Sequence, residues 1–444
     1  MKVNKKAIAI KIVKRLQSKG FIAYFAGGCV RDMILSREPK DFDIATSAKP
    51  SQVKDLFKRT VCIGEKYGTI IVIASGLNFE VTTFRVESGY SDNRRPDNIK
   101  FTSPEEDAKR RDFTINAMFF DPVKNILIDF VEGERDAKKN IIRFVGDARE
   151  RIEEDHLRLL RAVRFKVTLG FQYSSETYEI IKKSSCLINS VAKERIRDEL
   201  NIIFSSPKRH IGLIELSESG ICKVILPEIE ILKGVPQPYE FHHEGDVFTH
   251  TYLALKSLKK DEAGFLCWAT LLHDIAKPQT LIREGGRIIF HDHAQKSAEM
   301  AREILKRLKF PNFEIETIVW LVENHMRIGD IGKMRPHKRM GFLLDHRFPS
   351  LIELARADCM GTYPINTTLV KMMELDREKA LVAQKEAQAV KKSGKILKGD
   401  DLIAVGFEEG ENFGRYLEEA NDMIIDNKMN KLQALDYILK KYKP

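Results

Sequence analysis

The stretch that decides the fold is FIAYFAGGCVRDMILSREPKDFDIAT, residues 21–46. FIAYFA is a short apolar run of strand character ending on Gly27 and Gly28, and CVRDMIL after it reads as the start of a helix. DFDIAT is a second strand, on which Asp41 and Asp43 are two apart, so both carboxylates project from one face. Such a pair suits Mg²⁺, a hard ion that takes oxygen ligands and keeps some positions for substrate phosphates. Two such ions about 3.5–4 Å apart can activate an attacking hydroxyl and stabilise a leaving pyrophosphate. The small residues Gly27 and Gly28 let backbone N–H groups approach a triphosphate, and Arg31 adds a cation one turn into the helix. Further along, TIIVIA (69–74) and NFEVTTFRV (78–86) are strands rich in β-branched residues. Glu80 is a candidate third carboxylate if these strands are neighbours. Singly, a glycine pair is usually a turn and an Asp-x-Asp a solvated edge; the order strand–GG–helix–strand–DxD is what makes the set specific.

The rest of the chain is consistent with a multidomain globular protein. It has 444 residues, 43% hydrophobic and 31% charged, which is too long for one ordinary core. No apolar run is long enough for a membrane span, and the basic N-terminal stretch reads as a surface helix and not as a signal peptide. Six scattered cysteines without a CxxC pair fit reduced thiols and predict a cytoplasmic protein. The formal charge of +10 favours polyanionic partners, nucleic acid first among them. The polar stretch ESGYSDNRRPDNIK (87–100) predicts a loop.

With two further motifs in place, the residues carry a resemblance. GGxVRD followed by DxD, RRDFTINAM (110–118) and EEDHLRLLRAVRF (153–165) resemble the tRNA nucleotidyltransferase and bacterial poly(A) polymerase family, of the polymerase-beta-like superfamily. The resemblance implies an α+β fold: a polymerase-beta-like nucleotidyltransferase head on a mixed sheet (1–140), then an all-helical neck (141–205), a connection (206–240), an HD body (241–365) and a helical tail (366–444). In the second motif it implies recognition of the incoming sugar. Asp112 and Asn116 can hydrogen-bond a 2′-OH, and Arg111 can hold phosphate. The competing view is that RRD caps a helix FTINAM and its charges are solvated. In the third motif, Asp155 and Arg158 are three apart on a helix and share a face. A carboxylate accepts from the exocyclic amine of C or A and a guanidinium donates to a ring acceptor, whereas uracil leaves both unpaired. An ordinary surface ion pair is the alternative. AKERIRDEL (192–200) resembles the family's next motif, in which Glu194, Arg195 and Glu199 would brace the neck.

FRVESGYSDNRRPDNIKF (84–101) resembles the flexible loop of CCA-adding and A-adding enzymes. Seven of the eleven histidines fall between 242 and 325, and the series His250, His273–Asp274, His293, His325 and Asp358 resembles the ligand order of an HD phosphohydrolase. Imidazole there suits a transition metal better than Mg²⁺, and a metal-bound water can hydrolyse phosphomonoesters or 2′,3′-cyclic phosphates. The alternative is a silent site with helix-packing histidines. The tail from residue 399 resembles the C-terminal element of bacterial members and is assigned to RNA contact, with packing or dimerisation equally open.

The reading that follows is addition of C, C and A to a tRNA 3′ end from CTP and ATP, without a nucleic-acid template. Three others remain open: addition of A alone, to tRNA or as a tail on other RNA; a metal phosphohydrolase with an RNA-binding head; and an RNA-binding scaffold. Oligomeric state is left open.

Overall fold

The computed structural model describes residues 4–64, 67–89, 98–240, 242–259, 264–392, 397–410, 412–425 and 429–442. Residues 90–97, the centre of the predicted loop, lie outside that set. Its flanks are not loop: β6 (Arg85–Ser88) and β7 (Asn98–Phe101) pair as an antiparallel ribbon.

The chain divides into two units, each with its own packing. The first, residues 1–323 with 360–365, begins with helix α1 (Lys5–Gln17), capped by the Asn4 side chain on Ala7 N. Its mixed sheet has the order β3-β4-β5-β2-β1-β8-β9, with β1 (Ala23–Ala26), β2 (Asp43–Thr46), β3 (Thr60–Gly64), β4 (Thr69–Ala74), β5 (Leu77–Thr83), β8 (Phe119–Asp121) and β9 (Ile126–Ile128). β2 runs antiparallel to β1 and parallel to β5. That register sets Ala26 opposite Asp43 and Ile44 opposite Val81, so Asp43, at the start of β2, faces the middle of β5, where Glu80 lies.

Beneath this edge Ala26, Ala45, Phe84, Ala108 and Phe119 form a buried cluster, with the Phe84 and Phe119 rings edge to face at 5.6 Å. Burial of that kind, plus about 0.5–1.5 kcal/mol for the aromatic pair, makes the site's floor rigid.

After the sheet come α6 (Ala148–Glu154), α7 (Arg158–Leu169) and α9 (Lys193–Phe204), helical apart from a two-residue parallel pairing of Ile141–Ile142 with Gln172–Tyr173. In α7 the residues Leu159, Leu160, Ala162, Val163 and Val167 are buried, and Gly170 ends the helix at φ 77°. Arg158, Arg161 and Arg164, spaced by three, share another face. Helices Val247–Ser257, Gly264–Leu272 and His293–Arg307 follow, with an antiparallel hairpin, Leu281–Glu284 with Arg287–Phe290, between the last two.

The second unit, residues 324–359 with 366–444, is helical. Its long charged helix is Thr368–Lys392. Beyond it Leu397, Leu402, Phe407, Ala420, Ile424, Ala434 and Ile438 make a core of their own. Among the described residues, no helix is long and apolar enough to cross a membrane.

Candidate active site

Gly27 has φ 71° and ψ −134°, a backbone conformation that an L side chain rarely adopts, and a Cβ there would meet the Arg111 guanidinium at 3.4 Å. This turn launches α2 (Gly28–Ile34) beside the β2 edge. The regular strand begins at Asp43, so Asp41 precedes it and does not lie within it. The alternation still holds: Phe42 is 4% exposed and packs on Phe25, while Asp41 and Asp43 on either side of it are both exposed.

Asp41 Oδ1 accepts from Lys5 Nζ at 2.5 Å. Asp43, though accessible, is recessed at the foot of a cleft, and that desolvation pushes its carboxyl up to about 6; Glu80 and Asp41 add to the rise, and Arg111 and Lys5 oppose it. Asp43, reluctant to ionise under desolvation and the influence of Glu80 and Asp41, is a carboxylate whose charge a divalent cation would relieve. The residues therefore fit Mg²⁺.

The cleft, about 1010 Å³, is lined by Gly27, Gly28, Arg31, Asp41, Asp43, Arg111, Asp112, Asn116, Asp155 and Arg158 together. Glu80 lines a smaller neighbouring recess that shares Asp43 and Arg111 with it. Nine Lys or Arg side chains and six carboxylates are among the cleft's lining residues, an excess of cation that suits a polyphosphate.

The RRD charges are not solvated caps. Thr114–Asn116 is one turn of 3₁₀ helix, and its N-cap, Phe113, makes no side-chain cap hydrogen bond. Arg111 donates Nε and Nη2 to Asp107 Oδ2 at 3.1 and 2.9 Å, and Arg110 donates to Oδ1 at 2.9 and 2.6 Å. Asp107 is 1% exposed; burial opposes its charge, yet Arg111 and Arg110 outweigh it and lower its pKa. Asp112 accepts from Phe113 N on Oδ1 and twice from Arg161 on Oδ2, at 2.8 and 2.6 Å. Burial works against that carboxylate, but Arg161, then Arg158, hold it down at about 2. Asn116 accepts from Arg31 Nη1 through Oδ1 at 2.7 Å, leaving its amide N–H₂ group as the donor end.

The third motif differs from expectation. Asp155 has extended φ/ψ (−151°, 103°) and ends α6, while Arg158 begins α7, so the two straddle a break between helices. The cause is local: Asp155 Oδ1 accepts from Leu157 N at 3.1 Å, a side-chain turn that competes with the helix. Arg158 N donates to Asp155 O at 3.0 Å, but their side chains take other partners. Arg158 donates to Glu154 Oε2 at 2.5 Å and to Arg151 O at 2.6 Å. Asp155 is gripped by Arg195, Nη1 to Oδ1 at 3.0 Å and Nη2 to Oδ2 at 2.7 Å.

Arg195, which holds Asp155, also lines the cleft. Glu199 does brace, taking ion pairs from Arg161 and Arg164 of α7. Sequence reasoning passed over Asp107, Arg161, Arg164 and Lys5. The spacing of Asp107 to Arg110 and Arg111, and of arginines 158, 161 and 164, was the available signal.

A second cluster forms around Asp274. His250 Nε2 and His273 Nε2 are 3.2 Å apart; from Asp274 Oδ2 they lie at 3.6 and 3.2 Å, and His293 Nε2 is 3.4 Å from Oδ1. His273 Nδ1 lies 2.8 Å from Thr270 O and His293 Nδ1 3.1 Å from Phe290 O, so each N–H is placed there and each Nε2 lone pair faces inward. Burial, assisted by Lys277 and resisted by Asp274, lowers the pKa of His293, which favours the neutral ligand form. These donors fit a transition metal. His325, which opens the 3₁₀ helix His325–Lys333, and Asp358, in Phe348–Gly361, belong to the second unit.

A carboxylate pair at the start of a strand, a glycine turn and an arginine-lined cleft define a nucleotidyltransferase head. The chain matches the model of the poly A polymerase head domain over residues 23–143, that of the probable RNA- and SrmB-binding site of polymerase A over 170–232, and the HD domain over 246–383. It is 39% identical over 283 residues to the CCA-adding enzyme of Streptococcus uberis, covering 62% of this chain and 69% of that one. The figures for the CCA-adding enzyme of Lactiplantibacillus plantarum are 49% over 257 residues, 57% and 63%. The chain belongs to the CCA-adding enzyme family. Several of its relatives are matched over less than two thirds of their own length, 64% for that of Latilactobacillus sakei. Among solved structures, the Bacillus stearothermophilus CCA-adding enzyme in complex with CTP superposes with a TM-score of 0.68 at 25% identity, covering 99% of this chain and 98% of that one. A Thermotoga maritima CCA-adding enzyme bound to tRNA shares the fold, with a TM-score of 0.56 at 18% identity over 99% and 97% of the two chains.

Proposed function

We propose that this protein adds C, C and A to the 3′ end of tRNA from CTP and ATP without a nucleic-acid template, releasing pyrophosphate. The observation that carries the reading is the convergence of ten residues, from three separated motifs, on one cleft. Asp41 and Asp43, with Glu80 adjacent, would hold Mg²⁺, which when bound activates the RNA 3′-OH and offsets charge on the departing pyrophosphate.

The chain's own groups bind and orient. Arg111, fixed by Asp107, meets phosphate. The Asn116 amide and Asp112, each anchored by an arginine, meet the ribose. Asp155, oriented by Arg195, accepts from the exocyclic amine of C or A, and Arg158 donates to the neighbouring ring acceptor. Because each oxygen of a carboxylate has two lone pairs, the Arg195 grip leaves Asp155 acceptor capacity. The head, neck, connection, body and tail divide at 140, 205, 240 and 365 in this proposal. The imidazole cluster of His250, His273 and His293 with Asp274 is the HD metal centre and acts on phosphate esters.

The test is incubation of purified protein with tRNA lacking CCA and with CTP or ATP supplied separately. Incorporation of C and then A is expected. Use of ATP with no use of CTP would leave addition of A alone, and incorporation of neither would leave the HD hydrolase or a binding scaffold.

A further inference from the structure

Beside the imidazole cluster stands an aromatic surface that the nucleotidyltransferase chemistry does not use. Tyr239 is 76% exposed and Tyr363 61%, and His243 between them is exposed too. The Tyr239 and His243 rings stack at 4.3 Å with 22° between planes, and the Tyr363 ring is 5.7 Å from His243, tilted by 53°. Large aromatic rings gathered in the open mark a contact surface.

This platform is tied to the cluster by one carboxylate. His243 N donates to Tyr363 O at 2.9 Å, and Tyr363 N donates to Glu244 Oε2 at 2.9 Å. Glu244 Oε1 lies 2.6 Å from His242 Nδ1 and 3.3 Å from His250 Nδ1. Two residues before Tyr239 comes Gln237, 6% exposed. Its Oε1 accepts from Lys277 Nζ at 2.7 Å, and Lys277 in turn contacts Asp274 at 2.6 Å. An ammonium only donates, so the amide must present oxygen to it; the buried Nε2 is left without a partner. A buried donor of that kind is costly until an acceptor arrives.

We infer that the cluster's ligand is a phosphate ester carrying a nucleobase, the base stacking on Tyr239 and Tyr363 and a phosphoryl oxygen accepting from Gln237 Nε2. A free phosphate or a sugar phosphate would leave the platform without work. The inference rests on the metal-centre reading above only for what the phosphate approaches. Two sources share this chemistry, a free nucleoside monophosphate and the 3′-phosphorylated end of an RNA.

The probes are 2-aminopurine riboside monophosphate and a short RNA ending in a 3′-phosphorylated 2-aminopurine nucleotide, read by fluorescence quenching on the full chain. Asp155→Ala/Arg158→Ala is the background, which silences base recognition in the head. Quenching by at least one probe is expected there, and which probe binds more tightly identifies the source. Adding Tyr239→Ala/Tyr363→Ala is expected to weaken affinity between about 5-fold and about 150-fold, the range for losing one stacked base contact. Tyr239→Phe should restore it, and Gln237→Leu should weaken the phosphorylated probes but not 2-aminopurine riboside. The tyrosine variants in the otherwise native chain should incorporate nucleotides normally, which shows that they fold. Quenching by neither probe, or quenching indifferent to both tyrosines, overturns the inference. Elemental analysis of the same samples separates the two readings: metal without tyrosine-dependent quenching overturns only this subsite, and tyrosine-dependent quenching without metal overturns only the metal centre.

Discussion

Arg195→Ala removes the two parallel hydrogen bonds, 3.0 and 2.7 Å, that set the plane of the Asp155 carboxylate. What remains on Asp155 is one bond from Leu157 N at 3.1 Å, which leaves the carboxylate free to rotate. Hydrogen bonds to a charged group are worth about 1.5–3 kcal/mol each, and with both side chains about one-fifth exposed, water recovers part of that. The base contact that Asp155 would make is worth about 1–3 kcal/mol of discrimination. Its loss should therefore lower kcat/KM for CTP relative to UTP between about 5-fold and about 150-fold, mostly through KM. Arg195→Lys should fall between, because an ammonium cannot present two parallel N–H groups to one carboxylate. The assay is steady-state incorporation of each of the four nucleotides on tRNA lacking CCA, with thermal unfolding measured alongside. A mere brace would lose stability and slow all nucleotides alike. A CTP-to-UTP ratio within about twofold of the native value would refute the positioning role.

Three other perturbations bear on the same geometry. The Asp43 carboxyl sits at about 6 against an ordinary 3.8; a carboxyl raised on folding contributes stability in full below about pH 4 and loses it as the pH rises through about 6. Mg²⁺ should thus raise the unfolding temperature at pH 7.5 and hardly at all at pH 5, and Asp43→Asn should abolish that difference; an equal Mg²⁺ effect at both pH values would count against the site. His273→Ala should lower transition-metal retention by about 100-fold or more, measured by elemental analysis, while nucleotide incorporation is unchanged. Gly133→Ala would set a Cβ 2.2 Å from Thr114 O and 2.7 Å from Met118 Cγ, so about 1–3 kcal/mol of stability should be lost in denaturant unfolding, together with activity, since Thr114 begins the turn that carries Asn116.

By itself the sequence determined the residues with chemistry that needs only a local period. Asp41 and Asp43 flank the buried Phe42 because extended backbone alternates its faces wherever it runs, even ahead of the regular strand. Gly27 is legible because its φ of 71° suits a residue without a Cβ. Tertiary structure alone decided the partners. Nothing within ten residues of Asp155 reveals that Arg195, forty positions on, grips it, or that Arg161 holds Asp112 from forty-nine away. Between Glu154 and Arg158 the expected helical period gives way to a local contact instead, the Asp155 side chain taking the Leu157 N–H. A dihedral preference is written into neighbouring residues, whereas a charge's partner depends on which distant segments the packed core brings within about 3 Å, and that is settled only when the chain has closed on itself.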